Sequence, residues 1–229
     1  MRIAMWSGPR NLSTAMMYSF GARADFRVMD EPFYAAYLKA TGVDHPLRDE
    51  ITAQHENDPN KVDLTCRQDG APHLYMKHMP HHMVDGFPMG WAQGCVHIHL
   101  IRHPARVIAS YAAKREAPTM SDIGFVQQAK LFERLGGLVV DSTDIRVNPE
   151  GTLRKLCAAI DLPFDNAMLQ WRAGPRAEDG IWARHWYQAV HKSTGFAGAE
   201  GILPQLEPDL AQLMQDALPF YEKLAAYRI

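Results

Sequence analysis

Ser7-Gly8-Pro9-Arg10-Asn11-Leu12-Ser13-Thr14 lies between a short apolar run, Ile3–Trp6, and a helix-forming run, Ala15–Phe20. This order predicts a strand, a tight turn and a helix that begins with hydroxyl side chains. Backbone N–H groups at a helix start, together with the positive end of the helix dipole, bind phosphate and sulfate groups. The segment therefore indicates a protein that binds an anionic nucleotide.

The turn differs from the phosphate loop of ATP- and GTP-hydrolysing proteins. That loop needs Gly, four residues and then Gly-Lys-Ser/Thr, in which Lys reaches the terminal phosphates and the hydroxyl binds Mg²⁺. Counted from Gly8, the last three positions hold Ser13, Thr14 and Ala15. Arg10 supplies a guanidinium, which can bind an anion directly together with hydroxyls and N–H groups. An ordinary strand–helix turn, with Ser13 and Thr14 near the cap, is the alternative for this segment.

Length and composition indicate one globular domain over residues 1–229. Hydrophobic residues form 47% of the chain and charged residues 22%, and the net charge of −2 argues against nucleic-acid or anionic-membrane binding. Three scattered cysteines, Cys66, Cys95 and Cys157, favour a reducing compartment over a disulfide framework. No apolar run approaches the roughly 18 residues of a membrane span, and no signal peptide precedes the first strand. We therefore expect a cytoplasmic protein.

Apolar, β-rich runs alternate with segments of helical periodicity. The predicted strands are Ile3–Trp6, Phe26–Met29, Leu74–Met76, Cys95–Ile101 and Leu138–Val140. The predicted helices are Leu12–Ala24, Phe33–Ala40, Pro59–Arg67, Pro104–Arg115, Ile123–Leu135, Glu150–Ile160 and Pro208–Leu224, and Asp165–Gly201 is expected to form loops with short helices. The alternation predicts a three-layer α/β fold, a mostly parallel sheet flanked by helices on both faces. Ligands of such sheets bind beyond the carboxyl ends of the strands, where the Ser7–Thr14 turn is expected.

A second candidate anion site follows the run Cys95–Ile101. Arg102 leaves the strand end, Pro104 suits the first turn of the next helix, and Ser110 lies about two turns into it. The guanidinium and the hydroxyl can therefore close on one phosphate. The alternative is structural: Arg102 pairs with a carboxylate, and Ser110 is a small residue in helix packing.

Together these motifs resemble the cytosolic-type sulfotransferases, which transfer a sulfuryl group from 3′-phosphoadenosine 5′-phosphosulfate (PAPS) to a hydroxyl or amine. The family's 5′-phosphosulfate loop is Pro-Lys-Ser-Gly-Thr-Thr, and Pro9-Arg10-Asn11-Leu12-Ser13-Thr14 resembles it, with Arg10 in place of Lys and Leu12 in place of Gly. The family's 3′-phosphate motif has Arg and Ser eight residues apart, as Arg102 and Ser110 are. Met76-Lys77-His78-Met79-Pro80 resembles its histidine motif, and His191-Lys192-Ser193-Thr194-Gly195 resembles its C-terminal basic loop.

The resemblance implies a P-loop-like fold, PAPS as co-substrate, a small-molecule acceptor and no metal. It implies that Arg10 stabilises the leaving phosphate, that His78 is the general base, and that Lys77 contacts the transition state. The implied PAPS-binding residues are Pro9, Arg10, Asn11, Leu12, Ser13, Thr14, Arg102, Ser110, Lys192, Ser193, Thr194 and Gly195.

Several other residues have two interpretations. Glu31, after the second strand, is either a contact for the acceptor or a carboxylate that stabilises a helix start. The cluster His78, His81 and His82 has no accompanying carboxylate or cysteine with metal-ligand spacing, so we expect no metal site there. Trp171, Trp182, Trp186 and Tyr187 form either an aromatic acceptor pocket or a satellite hydrophobic cluster.

Two rival functions stay open at this point: another P-loop nucleotide-dependent enzyme, a kinase or hydrolase, and a catalytically degenerate nucleotide-binding protein. The sequence does not identify the acceptor, and it leaves the oligomeric state open, a homodimer being one of the states it allows.

Overall fold

A computed structural model describes residues 1–113 and 118–229. Five parallel strands form one sheet in the order β2-β3-β1-β4-β5. The strands are β1 (Arg2–Ser7), β2 (Phe26–Asp30), β3 (His73–His78), β4 (Val96–Ile101) and β5 (Leu138–Asp141). All five predicted strands are thus confirmed, and the strand that precedes the Ser7–Thr14 turn lies at the centre of the sheet.

Helices connect and flank the strands. Those of the first half are α1 (Ser13–Gly21), α2 (Tyr34–Thr41), α3 (Arg48–Gln54), α4 (Pro59–Cys66) and α5 (Pro104–Ala112). Those that follow are α6 (Met120–Ile123), α7 (Phe125–Leu135), α8 (Ser142–Val147), α9 (Pro149–Ala159), α10 (Ala183–Trp186), α11 (Gln188–His191) and α12 (Pro208–Ala225). Three 3-10 turns cover Pro80–His82, Gly90–Ala92 and Asn166–Leu169.

The two faces of the sheet have separate apolar cores. Because side chains alternate along a strand, Ile3 and Met5 of β1 point to one face and Ala4 and Trp6 to the other. The first core includes residues of α1 and α9, and the second includes residues of α4 and α7. The predicted three-layer α/β architecture is therefore confirmed.

The predicted helix Ile123–Leu135 is interrupted at Gly124, which separates α6 from α7 with a left-handed φ of 71°. The interruption brings the Ile123 carbonyl against Gly8, where an added Cβ would lie 2.7 Å from that oxygen. Gly8 thus permits a close approach between the first turn and the α6–α7 junction. The end of the predicted helix Pro104–Arg115 falls outside the described residues.

The side chain of Gln128 on α7 fixes the start of the first turn. Its Nε2 donates to the carbonyl oxygens of Trp6 (3.2 Å) and Leu100 (2.9 Å), and its Oε1 accepts from the Gly8 N–H (3.4 Å). Asn11 adds a bond from Nδ2 to the Leu100 carbonyl at 3.3 Å. The turn after β1 is therefore held to the end of β4 by buried amides.

Candidate active site

A cavity of about 420 Å³ lies at the carboxyl edge of the sheet. Residues from the ends of all five strands line it: Pro9, Arg10, Leu12, Ser13 and Thr14 after β1, Glu31 and Tyr34 after β2, Lys77, Met79, His81 and His82 from β3 onward, Arg102, Ser110 and Tyr111 after β4, and Ser142 and Arg146 after β5. The segment with α10 and α11 adds Trp186, Tyr187, Ser193 and Gly195. The cavity has the size of an ordinary small-molecule site.

Its cationic side, which we call the arginine end, consists of Arg10, Arg102, Arg146 and the start of α1. Leu12 has a φ of 75° although it carries a side chain, and Arg10 has a φ of 63°. Leu12 is the N-cap residue of α1, and its side chain makes no capping hydrogen bond. Because Ser13, Thr14 and Ala15 of the first turn line the cavity, the N–H groups and the positive dipole of this helix end are suited to an anion.

Arg10 and Arg102 lie together at this end. Arg102 Nη1 donates to the Arg10 carbonyl at 2.6 Å, and Arg10 Nε donates to Ser110 Oγ at 2.9 Å. Burial and the nearby charge of Arg102 lower the pKa of Arg10 from its usual value. Two guanidinium groups and a hydroxyl from separate sequence motifs therefore share one region, in which additional negative charge is favourable.

Glu200 lies among three arginines beside this region. Its carboxylate accepts hydrogen bonds from Arg102 Nη2 and from Arg146 Nη1 (2.6 Å), and it pairs with Arg106 Nε at 3.3 Å. Burial alone raises the pKa of Glu200, but the hydrogen bond and charge of Arg102, with the charges of Arg146 and Arg106, hold it below its usual value. Glu200 is therefore an anion at neutral pH.

The opposite side of the cavity, which we call the carboxylate end, is built around Lys77. Its Nζ donates to Asp30 Oδ1 at 2.9 Å, to Glu31 Oε1 at 2.5 Å and to the Tyr187 hydroxyl. The Tyr187 hydroxyl also bonds the Asp30 carboxylate at 2.8 Å and accepts from Trp182 Nε1 at 3.1 Å. These bonds hold the side chains at the ends of β2 and β3 in one arrangement.

The carboxylate end has two carboxyl groups, Asp30 and Glu31, for the single ammonium of Lys77. Although burial opposes it, the charges of Asp30 and Glu31 raise the pKa of Lys77, so the ammonium persists. Burial raises the pKa of Glu31, Lys77 offsets this in part, and the charge of Asp30 adds to the rise. A carboxyl group whose pKa is shifted toward neutrality in a cavity is suited to accept a proton.

His78 lies on the other face of β3. Lys77 and His78 are neighbours in the strand, so that their side chains point to opposite faces. The His78 ring stacks on Trp6 and Trp91, with centroid distances of 4.9 and 4.3 Å, and only 2% of the residue is exposed. Burial lowers the pKa of His78 to about 3. This placement argues against the expected general-base role, because the imidazole does not line the cavity.

Three other histidines, His45, His81 and His82, do line the cavity. Burial lowers the pKa of His81 to about 4, and burial together with nearby cationic and histidine side chains lowers that of His82 well below its usual value. His82 stacks on Tyr34 and lies 3.9 Å from Glu31 Oε2 through its Nδ1. The imidazoles of His81 and His82 are therefore neutral at physiological pH.

The remaining predicted site residues are divided between the cavity and its surroundings. Ser193 and Gly195 line the cavity, whereas Lys192 and Thr194 are exposed outside its lining. The Thr194 carbonyl accepts a hydrogen bond from the Trp171 N–H at 3.1 Å. Asn11 is buried and serves the turn through its bond to β4.

Sequence reasoning missed four residues of this region: Asp30, Arg106, Arg146 and Glu200. Asp30 precedes Glu31 at the end of a predicted strand, so its position at the sheet edge was a usable signal. Arg146 and Glu200 come from segments without a recognisable spacing. Only the fold brings them to Arg102.

Within residues 1–113 and 118–229, no group of three or more His, Cys, Asp or Glu side chains is arranged to hold a metal ion. None of the helices in this part of the chain is long and apolar enough to cross a bilayer.

Comparison with known proteins identifies the family. A family model described as a sulfotransferase domain matches residues 1–228. Two Arabidopsis thaliana proteins, named branched-chain-amino-acid aminotransferase-like proteins 1 and 2, are each 36% identical over 98% of this chain. The matched regions are 42% and 41% of those proteins, so the chain spans about two fifths of the length of these relatives.

Solved structures share the fold at low sequence identity. The sulfotransferase domain of the Synechococcus PCC 7002 olefin synthase has a TM-score of 0.54 and 17% identity, with 94% of each chain covered. A sulfotransferase domain of the curacin biosynthetic pathway has a TM-score of 0.56 and 14% identity, covering 93% of this chain and 96% of that one. A sulfotransferase from Alicyclobacillus acidocaldarius has a TM-score of 0.56 and 11% identity, covering 100% and 97%. Since the family model extends over nearly every residue, this chain belongs to the sulfotransferase domain family.

Proposed function

We propose that this protein transfers a sulfuryl group from PAPS to a hydroxyl or amine of a small-molecule acceptor. The observation that carries the proposal is the pairing, in one cavity, of Arg10 and Arg102 beside an uncapped helix start with a buried carboxyl group, Glu31, on the other side. Membership of the sulfotransferase domain family supports the same reaction. We place the reaction in the cytoplasm, since all three cysteines are free.

PAPS carries anionic groups at two positions, and the arginine end offers partners for both. The start of α1, with Ser13, Thr14 and the backbone of Pro9 and Leu12, is assigned to the 5′-phosphosulfate. Arg102 and Ser110 are assigned to the 3′-phosphate. Lys192, Ser193, Thr194 and Gly195 belong to the segment beside the nucleotide, with Ser193 and Gly195 nearest to it.

Arg10 stabilises the negative charge that develops on the leaving phosphate as the sulfuryl group moves. A guanidinium binds two oxygens at once and keeps its proton, so its role here is electrostatic. The cations and N–H groups of the arginine end supply positive charge at the reacting group without a metal.

We assign the general-base role to Glu31 in place of His78. Glu31 Oε1 is occupied by the bond from Lys77, which leaves Oε2 to take the proton of the acceptor. Lys77 and Asp30 are positioning residues, because they fix the carboxylate rather than contact the reacting atoms. The neutral imidazoles of His81 and His82 and the ring of Tyr34 form the adjacent wall, which suits an uncharged or cationic acceptor.

Thermal unfolding with three nucleotides tests the proposal. Adenosine 3′,5′-bisphosphate (PAP) and PAPS are expected to raise the Tm, because a ligand that binds only the folded state stabilises it. ATP with Mg²⁺ is expected to have little effect. Stabilisation by ATP with Mg²⁺ and none by PAP would instead indicate a kinase or hydrolase.

A turnover assay separates an enzyme from a degenerate binding protein. PAPS is incubated with mixed alcohols, phenols and amines, and the formation of PAP is measured. PAP formation that depends on an acceptor supports sulfuryl transfer, whereas binding without turnover in any mixture supports the degenerate protein. In the same preparation, Arg102→Ala is expected to weaken PAP binding more than AMP binding; equal losses would contradict the 3′-phosphate assignment.

A further inference from the structure

The segment that carries Glu200 is a short strap, residues 197–203, with the sequence Ala-Gly-Ala-Glu-Gly-Ile-Leu. Most of its residues are exposed, Ile202 by 95%, whereas the Glu200 side chain is only 5% exposed. Gly198 and Gly201 have open space where a Cβ would be. One buried anion is thus held on a segment that otherwise has few packing contacts.

The contacts that hold the strap are polar and come from three arginines. Besides the Glu200 carboxylate, Arg146 Nε donates to the Gly198 carbonyl at 2.8 Å, and Arg106 Nη2 donates to the Gly201 carbonyl. Arg102, the residue assigned to the 3′-phosphate, is bound to the same carboxylate through two nitrogens. Glu200 therefore occupies the donors that a phosphate would need.

A carboxylate and a phosphate cannot share these donors. Both oxygens of the Glu200 carboxylate already contact the guanidinium groups. A phosphate bound to the same nitrogens would lie next to this carboxylate and would be repelled by its charge. Moving the strap outward exposes little apolar surface, because Ala197, Gly198, Ala199 and Gly201 are small and exposed already. Exchange of one anion for the other is thus a feasible rearrangement.

We propose that Glu200 is an internal competitor for the 3′-phosphate of the nucleotide, and that Arg106 and Arg146 are additional ligands of that phosphate. This inference rests on the proposed function. Binding of PAPS or PAP displaces the Glu200 carboxylate, and its return assists the departure of PAP. A nucleotide without a 3′-phosphate cannot displace it and gains nothing from the three arginines.

Calorimetric binding of PAP and AMP to wild type and Glu200→Gln tests the competition. Loss of the carboxylate charge is expected to tighten PAP binding on the order of tenfold, since apparent affinity falls as the fraction of protein with Glu200 bound to the arginines rises. AMP affinity is expected to be unchanged. Glu207→Gln, the same charge change on an exposed residue beyond the strap, is the matched control and is expected to match wild type.

Equal PAP affinity of wild type and Glu200→Gln, with both proteins folded by circular dichroism, would overturn the inference and leave the proposed function intact. Failure of folded wild type to bind PAP at all would overturn the proposed function and this inference with it. Tighter binding of AMP as well as PAP by Glu200→Gln would also overturn it, because the effect would then not depend on the 3′-phosphate.

Limited proteolysis of the wild-type protein by a glutamate-specific protease provides a measurement without a variant. PAP, but not AMP, is expected to accelerate cleavage after Glu200, since release from the arginines makes its buried side chain accessible. Unchanged or slower cleavage at Glu200 with saturating PAP would contradict displacement.

Discussion

The two ends of the cavity hold their counter-ions in opposite ways. At the carboxylate end, Lys77 and Asp30 belong to the sheet, and both side chains are almost completely buried. At the arginine end, the counter-ion of Arg102 is Glu200, which is carried by an exposed strap. A counter-ion on a strand is fixed by the fold, whereas one on a strap can be exchanged for a ligand. Under the proposed function, the difference separates a preformed general-base end from an arginine end that would be completed by its nucleotide.

The largest effect is expected from Glu31→Gln, which removes the proposed proton acceptor from the preformed end and keeps the size of the side chain. Turnover is expected to fall by about 10²–10⁴-fold, the range of general acid–base catalysis, with PAP affinity unchanged. The measurement is steady-state PAP formation from PAPS. His78→Phe is the comparison, because an aromatic ring can retain the contacts of His78 with Trp6 and Trp91. A greater loss in His78→Phe would restore the histidine as the base.

The pH dependence of kcat/KM sharpens the same assignment. Burial raises the pKa of Glu31 above its usual value of 4.5, and only the ionised carboxylate accepts a proton. We therefore expect kcat/KM to be low at pH values below this raised pKa and to increase as the pH rises through it. Glu31→Gln is expected to lack this acidic limb, and its persistence in the variant would assign the titration to another group.

A smaller effect is expected from Lys77→Met, which tests how far the carboxylate end is fixed by its buried charge. The variant leaves two buried carboxylates without their ammonium, so we expect the free energy of unfolding to fall by about 3–5 kcal/mol. Urea denaturation measures the change, with Lys192→Met as the control on an exposed lysine. The loss should shrink in acid, where Glu31, whose pKa is raised by burial, becomes protonated. A loss below 1 kcal/mol, at neutral pH, would show that the cluster tolerates the missing charge.

The smallest effect is expected from Lys192→Ala, in the exposed segment beside the proposed nucleotide site. Lys192 is exposed and lies outside the cavity lining, so that salt and water screen its charge. PAP affinity is expected to change by less than roughly threefold, the range of exposed charge pairs. A tenfold loss in calorimetric titration would show that Lys192 closes over the nucleotide, as the resemblance implies.

Much of the fold and part of the site could be predicted from the sequence. Strand runs separated by helical segments imply a parallel sheet, and parallel strands bring their carboxyl ends to one edge, which is why the turns that carry Arg10 and Arg102 were both expected at that edge. The position of His78 was not predicted, because a shift of one residue along a strand reverses the face of the side chain. The resemblance identified the histidine motif, but it did not show to which face of the sheet the His78 side chain points.

Glu200 and Tyr187 show the other limit of the sequence. Neither has a spacing that relates it to the partner residues, which lie about 100 or more positions earlier in the chain. Their segment has little periodicity, so only the folded chain shows that one residue reaches Arg102 and the other Lys77. The left-handed φ of Leu12 could not be predicted from the sequence either, since that conformation is typical of glycine.

Tyr187 and Glu200 contact opposite ends of the cavity, yet they belong to one stretch of chain, residues 183–203. Under the proposed function, the nucleotide and the acceptor would therefore contact the same segment. If binding of the nucleotide moves this stretch, it changes the affinity for the acceptor. Because such coupling is reciprocal, the acceptor must then change the affinity for the nucleotide by the same factor.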